Sequence, residues 1–333
     1  MCGIIAVLRR ACRRQPPPAS LLTSLLGDAE RALAAPRDLQ GLAAAADALA
    51  RLDQELKGVA GLWTLLQEPA TTRDLATRLQ VLQESVSTFE RCLDQTAVTD
   101  TVDPAVEARN QALVRVKDGL WAVLRDRLPH AAAVQALANG DLPQIAAAAS
   151  FSSLQTALSA LDRLEVRGRD SAGISVLVSG LGAQLARFTG QIAARGADPL
   201  FQGGSVRSAD GCLNFVYKHA AEIGELGDNV RALCQSIQRD RLLQEALRVP
   251  GAEALVLGHT RWASVGIISE PNAHPLNQEE TAGQAMPYVI GALNGDVDNH
   301  HDLIARQRLA IADPITTDAK VIPVLVALVA WQG

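Results

Sequence analysis

Pro16-Pro17-Pro18 constrains this chain more than any other short stretch. Three consecutive prolines fix φ and offer no backbone donors, so no helix or sheet strand runs through them and a stiff extended connection is expected. They separate a short apolar run, Ile4 to Leu8, from a helical pattern that begins at Ala19 and continues to about Ser150. The apolar run is expected as a buried strand. Between run and prolines the basic stretch Arg9-Arg10-Ala11-Cys12-Arg13-Arg14-Gln15 marks the change of character.

Apolar residues in the long block recur in steps of three and four. Leu42, Ala45, Leu49, Leu52, Leu56, Val59, Trp63 and Leu66 predict one helix. Leu75, Leu79, Leu82, Val86, Phe89 and Leu93 predict a second, and Val106, Leu113, Val116, Leu120 and Val123 a third. Each has a single apolar stripe and needs a neighbour to bury it. Breaks are expected at Glu68-Pro69, Asp103-Pro104, Pro129 and Leu142-Pro143, short enough for antiparallel neighbours in a bundle. Thr101 or Asp103 is placed to cap the third helix, with Pro104 in its first turn. Charges of alternating sign fall on outer faces. Trp63 and Trp121 fall on or beside the stripes, which reads as core packing rather than a ligand site. A catalytic role for the block is set aside, a docking or oligomerising role stays open, and its stripes name no partner.

Composition bounds the rest. At 333 residues, 48% hydrophobic and with net charge −5, the chain has enough apolar surface for one large or two ordinary cores, and no charge excess for binding nucleic acid. Aromatic residues make up only 3%, which argues against a base-stacking surface. Cys2, Cys12, Cys92, Cys212 and Cys234 are odd in number, widely spaced and without a Cys-x-x-Cys pair, so neither a disulfide framework nor a zinc site is expected and a reducing cytoplasm is the natural compartment. The opening apolar run is too short for a signal-peptide core. Val321 to Trp331 is interrupted by Pro323 and falls short of a membrane span.

From about Phe151 the texture becomes mixed. Leu154, Ala157, Leu158, Leu161 and Leu164 predict a helix ending at Arg167-Gly168, followed by the small-residue turn Arg169-Asp170-Ser171-Ala172-Gly173. Strands are expected at Ile174–Val178, near Gln184–Phe188, at Asn214–Lys218, at Ala254–Leu257 and at Val289–Leu293. A helix is expected through Val230, Leu233, Ile237 and Leu242. Polar clusters follow the later strands: Gly258-His259-Thr260-Arg261-Trp262-Ala263-Ser264, Asn272-Ala273-His274-Pro275 and Asn294-Gly295-Asp296. Arginine is the side chain best shaped to hold a carboxylate, through two parallel charged hydrogen bonds. Asn-Gly after a strand supplies an amide side chain and an open backbone N–H, the donors an oxyanion needs, although the pair is first of all a turn signal. His300-His301 is set aside as a metal site, since adjacent side chains are expected to diverge.

The start of the chain holds the candidate nucleophile. If Met1 is removed, Cys2 carries a thiol and a free α-amine on one carbon, with reference pKa values near ~8.5 and ~7.7–8.0. The amine can then take the thiol proton without a histidine. The alternative is an ordinary or lipidated cysteine in a frayed terminus.

Taken in order, Cys2-Gly3-Ile4, Arg167-Gly168-Arg169-Asp170-Ser171-Ala172-Gly173, His259-Thr260-Arg261-Trp262-Ala263-Ser264, Asn272-Ala273-His274-Pro275, Asn294-Gly295 and Thr317-Asp318 resemble the class II, N-terminal-nucleophile glutamine amidotransferases. Among these the segments are most similar to the glutaminase domain of the isomerising glutamine–fructose-6-phosphate aminotransferases. The resemblance covers residues 2–10 and 151–330, giving a glutaminase domain over 1–10 and 151–333 with a helical insertion over 19–150.

The resemblance implies an α+β Ntn-hydrolase fold, a four-layer αββα sandwich, with no cofactor and no metal. It implies that Cys2 attacks the carboxamide of glutamine and that Asn294 and Gly295 form the oxyanion hole. Arg261 and Asp318 would hold the substrate's carboxylate and ammonium, with Ser264 and Trp262 beside the substrate. Arg167, Asp170 and His274 would support the site. Val265, Leu293 and Lys320 depart from the family's usual histidine, histidine and glutamate. The family continues into isomerase domains that bind fructose 6-phosphate and serve amino-sugar synthesis. This chain is expected to be a truncated glutaminase domain that does not make the amino sugar alone, and a homodimer is implied only for the full-length protein. The competing expectation is a non-catalytic scaffold that binds a partner through the helical insertion.

Overall fold

The computed structural model describes residues 2–34, 38–96, 104–220, 225–279 and 287–332. Strand β1 (Gly3–Val7) leads into helices α1 (Ala19–Ala34), α2 (Leu39–Leu56), α3 (Gly58–Gln67), α4 (Pro69–Thr96) and α5 (Pro104–Trp121), a π-helical segment (Ala122–Arg127), α6 (Leu128–Ala138) and α7 (Ile145–Leu164). Then come β2 (Ser171–Ser179), α8 (Thr189–Gly196), β3 (Val206–Ala209), β4 (Cys212–Ala220), α9 (Asp228–Arg239), α10 (Arg241–Ala246) and β5 (Glu253–Arg261). The last elements are β6 (Leu276–Asn277), β7 (Ile290–Gly291), α11 (His300–Gln307) and α12 (Val321–Gln332). The fold is mixed α+β and divides into two units, one of Ala11–Ala136 and one of Met1–Arg10 with Leu137–Gly333. No helix among the described residues is long and apolar enough to cross a membrane.

In the helical unit α2 packs against α1, α3 and α5, and Leu22, Leu26, Leu42, Leu49, Leu52 and Val116 are fully buried. The stripe from Leu42 to Leu66 is two helices, not one. Lys57 is extended and Gly58 has φ +69°, while a side chain on Gly61 would strike the Leu56 carbonyl, so the chain turns there and α3 restarts against the end of α2. Arg14 caps that break by donating to the carbonyls of Gln54, Glu55 and Lys57 at 2.8, 2.6 and 2.6 Å, neutralising the negative end of α2. Pro129 does not break its helix. The preceding six residues widen to π geometry, which accommodates the proline's missing donor. Trp121 is 60% exposed and not in the core; the stripe position is Leu120. Thr101 and Asp103, the expected caps, lie outside the described residues.

The other unit is built on a five-stranded antiparallel sheet in the order β1-β5-β2-β4-β3. Pairing β1 with β5 sets Gly3 opposite Thr260 and Ile4 opposite His259, which brings the first residues beside the polar cluster at the end of β5. β1 is an edge strand, and Ile4 is 41% exposed rather than buried. Helix α7 covers β1 and β5 through Leu158 and Leu161. It begins at Ile145, so Phe151 lies inside this helix and the unit extends back to Leu137. Arg9 ties the exit of β1 to α7 by donating to Ser153 Oγ at 2.8 Å and Thr156 Oγ1 at 3.1 Å. Gly3 and Gly258 permit this close packing, since a Cβ on Gly3 would stand 2.8 Å from Leu164 Cβ and one on Gly258 3.0 Å from Ile5.

The strand expected near Gln184–Phe188 lies instead in a 3-10 helix, Gly182–Phe188. The helix expected through Leu242 stops at Asp240, which caps α10 by accepting from Leu243 N at 3.2 Å. The strand expected over 289–293 is reduced to Ile290–Gly291, paired with β6. On the face of the sheet away from α7, His274 lies over Gly173, whose missing Cβ would sit 2.1 Å from the His274 carbonyl oxygen. α12 packs against both β6 and β7.

Candidate active site

Alternation along the strands sorts this unit's polar residues. Arg261, His259, Ser171, Gly173 and Lys218 share one face by register, because Gly173 pairs with both His259 and Lys218 and Ser171 with Arg261. Beyond β5 the chain turns at Trp262, and Cys2 lies against that turn. Its Sγ is 3.4 Å from the Trp262 N–H nitrogen and 3.7 Å from the Trp262 carbonyl oxygen. Cys2 is half-buried, and the Trp262 side chain, 59% exposed, stands at the surface beside it.

Asp170 fixes this turn from below. Its carboxylate accepts from Ala263 N at 2.6 Å, and its own N–H donates to the Arg261 carbonyl at 3.2 Å. Gly168 makes the approach possible, since a Cβ there would lie 2.7 Å from the Arg261 carbonyl carbon. Arg167 is exposed, and its guanidinium has no partner among the described residues.

Arg261 is buried and turned into its own loop. It donates to the Ile267 carbonyl at 3.0 Å, to Gly266 at 3.5 Å and to Val265. Burial pulls its pKa down, and Cys2, Asp170 and Asp318 oppose that shift. These bonds leave part of the five-donor guanidinium uncommitted.

Asn272 anchors the next segment. Its Oδ1 accepts from Thr316 N and Thr317 N at 2.7 and 2.8 Å, and its Nδ2 donates to Ser269 Oγ and the Pro314 carbonyl. This sets Asp318, buried, to accept from Val297 N at 2.5 Å. Ser264 Oγ donates to Asp296 at 2.6 Å, so the turn holding Asn294 and Gly295 is tied to the loop after β5. Asn294 and Gly295 are exposed, with Gly295 at φ +157°, and no hydrogen bond among the described residues joins them to Cys2.

Residue 293 is held from the other side by two histidines. His259 Nε2 meets the Leu293 carbonyl at 2.9 Å and must be its N–H donor, while His274 Nδ1 accepts from Leu293 N at 3.3 Å. The ring centroids lie 4.3 Å apart, with the planes tilted by 36°. Burial pushes His259 down to about 4, with Arg261 adding to the shift and the Leu293 bond opposing it. Burial, then His259, Arg261 and Lys218, hold His274 well below the ordinary range.

Buried Lys320 donates to Asn277 Oδ1 and the Glu279 carbonyl, both at 3.3 Å. The rings of His300 and His301 do not diverge; their centroids lie 4.0 Å apart with the planes tilted by 37°. Among the described residues no three His, Cys, Asp or Glu side chains are grouped to hold a metal.

The structure thus gathers Cys2, Asp170, Arg261 and Trp262 at one turn, and links Ser264, Asp318 and His274 to the 293–297 segment. Two contributors were missed in the sequence. His259 stands two residues before Arg261 and so on the same strand face, a signal that period-two alternation provides. Asp296 adjoins the Asn-Gly pair, but its bond to Ser264 has no local sequence signal. Compared with protein-family models, curated proteins and solved structures, the chain gives no match in any of the three.

Proposed function

We propose that this chain is a glutamine-hydrolysing domain of the N-terminal-nucleophile type, with Cys2 as nucleophile. The observation that supports it most is the meeting of Cys2 Sγ with the Trp262 peptide, 260 positions away, beside a buried arginine and two carboxylates. The packing of α7 on the five-stranded sheet and of α12 on the short β6–β7 pair also supports the reading.

In the proposed reaction the thiol proton passes to the Cys2 α-amine as sulfur attacks the glutamine carboxamide carbon. The tetrahedral oxyanion accepts from the Asn294 side-chain amide and Gly295 N–H, each contact contributing about 2.7–4 kcal/mol in the transition state. Collapse breaks the C–N bond, the ammonium returns its proton to the leaving nitrogen, and ammonia departs from a γ-glutamyl thioester. Water then attacks the thioester, giving glutamate and restoring the thiol. Arg261 offers its uncommitted donors to the substrate carboxylate and Asp318 its free oxygen to the ammonium. Ser264 and Trp262 border the substrate, and Asp170 braces the turn. Ammonia transfer to fructose 6-phosphate belongs to the same proposal, through isomerase domains outside this chain.

The test is intact-mass analysis before and after 6-diazo-5-oxonorleucine, with Cys2→Ala as control. Loss of Met1 and one adduct, absent in Cys2→Ala, is the expected result. Retained Met1 or no adduct rejects the reading and favours a non-catalytic scaffold.

A further inference from the structure

Leu293 precedes the Asn294-Gly295 turn, and both of its peptide polar groups are taken by imidazoles. Its carbonyl accepts from His259 and its N–H donates to His274, at 2.9 and 3.3 Å. The two histidines arrive from different segments, His259 from β5 and His274 from the connection before β6, and their ring centroids lie 4.3 Å apart with the planes tilted by 36°. Each ring is buried, and each has its remaining nitrogen without a hydrogen-bond partner among the described residues. The geometry defines both tautomers: Nε2–H on His259 facing a carbonyl, and a bare Nδ1 on His274 facing an N–H. A neutral imidazole has one donor and one acceptor, and the pair uses one of each on a single residue.

We infer that His259 and His274 are positioning residues that grip the Leu293 peptide groups and so fix the direction in which Asn294 and Gly295 present their N–H groups. The grip acts on the backbone, so it is indifferent to the side chain at 293 and explains how leucine can occupy that position. Beyond the turn, Ser264 bonded to Asp296 and Asp318 bonded to Val297 hold the chain again. Residues 294 and 295 are therefore suspended between two fixed points. Burial keeps both rings neutral, with Arg261 adding to the shift on each and His259 and Lys218 adding to that on His274, and a neutral His274 is what the bond from Leu293 N needs. The consequence for catalysis rests on the proposed glutaminase reading; the grip itself does not.

The two rings call for different isosteres. Asparagine reproduces the Nδ1 position of histidine and glutamine the Nε2 position, so His274→Asn and His259→Gln retain the bonds, whereas His274→Gln, His259→Asn and both alanine variants lose them. Amide hydrogen exchange of the full chain at Leu293 is the direct readout. We expect exchange about tenfold faster or more in His274→Ala and His274→Gln, and near wild type in His274→Asn. For glutamine turnover we expect kcat to fall about tenfold or more in the variants that lose a bond, with KM little changed, because an oxyanion contact acts in the transition state. Correct isosteres should recover kcat.

Unchanged exchange at Leu293 in His274→Gln, or a correct isostere no better than the swapped one, overturns the grip. Should the alanine variants fail to fold, the correct and swapped isosteres still decide. A wild-type chain that neither labels at Cys2 nor turns over glutamine rejects the glutaminase reading, while the exchange measurement still judges the grip.

Discussion

The two faces of the five-stranded sheet follow different rules. One face turns Ile174, Val176, Val178, Leu213, Phe215 and Val256 inward, and most of these are fully buried. The other carries Ser171, Gly173, Ser175, Asn214, Lys218, His259 and Arg261. These are also mostly buried, yet five buried polar atoms on this side, on Ser171, Lys218, His259, His274 and Asn277, have no hydrogen-bond partner among the described residues. A buried polar atom without a partner costs about 1–3 kcal/mol, so this face is held in place against its own energetics. The apolar face supplies the stability. The lesson is that burial alone does not distinguish core from site, whereas the chemistry of what is buried does.

The largest expected effects test that division. Phe215→Ala removes a fully buried ring from the apolar face and should destabilise by about 3–5 kcal/mol in urea unfolding. Equal loss in a polar-face variant such as Ser175→Ala, whose hydroxyl bonds Asn214 at 2.6 Å, would erase the distinction; about 1 kcal/mol is expected there.

Lys218→Met should act in the opposite direction. Burial, with Lys320 adding, pushes the Lys218 ammonium down to about 7, and its Nζ has no hydrogen-bond partner among the described residues. Replacing it should stabilise by about 1–4 kcal/mol below pH 7. The folded lysine loses its proton at about 7 while the unfolded one keeps it to the ordinary range near ~10.4. Wild-type stability should therefore rise with pH across that window, and the variant should lack the rise. A destabilised Lys218→Met would mean that the charge is serving the fold.

Acid sensitivity from the histidine pair tests the polar face by a separate route. Unfolded histidine binds its proton near ~6.5, whereas folded His259 does so only at about 4. Their neutral burial is fully tolerated above the unfolded value, and stability is lost as pH falls toward the folded one. The slope should be up to about 1.4 kcal/mol per pH unit for each ring. His259→Gln should flatten it, and urea midpoints at pH 7, 5.5 and 4.5 would measure the change.

Much of the architecture was legible locally. Helical stripes, Pro69 and Pro104 at helix starts, the helix end at Gly168 and the strands around Ile174, Val216 and Val256 follow from spacing of three, four or two. Where the reading failed, a contact outside the window decided. Gly58 split a continuous stripe, and residues 182–188 became a 3-10 helix. Ile4 became exposed because β1 pairs only at the sheet edge. Among the candidate site residues, Cys2, Arg261 and Asn294 were visible as chemistry and Asp318 only through the family resemblance, but not the commitment of Arg261 to its own loop.

The sequence by itself determined the alternation that puts His259 with Arg261 and the prolines that isolate the first strand. Periodicity is a property of neighbouring residues and needs no fold to exist. Only tertiary structure decided that Cys2 meets Trp262, that Ser264 meets Asp296 and that two histidines share Leu293. Those pairings join positions whose separation leaves no local trace. They are fixed by the register between β1 and β5 and by the loops that the strand ends carry.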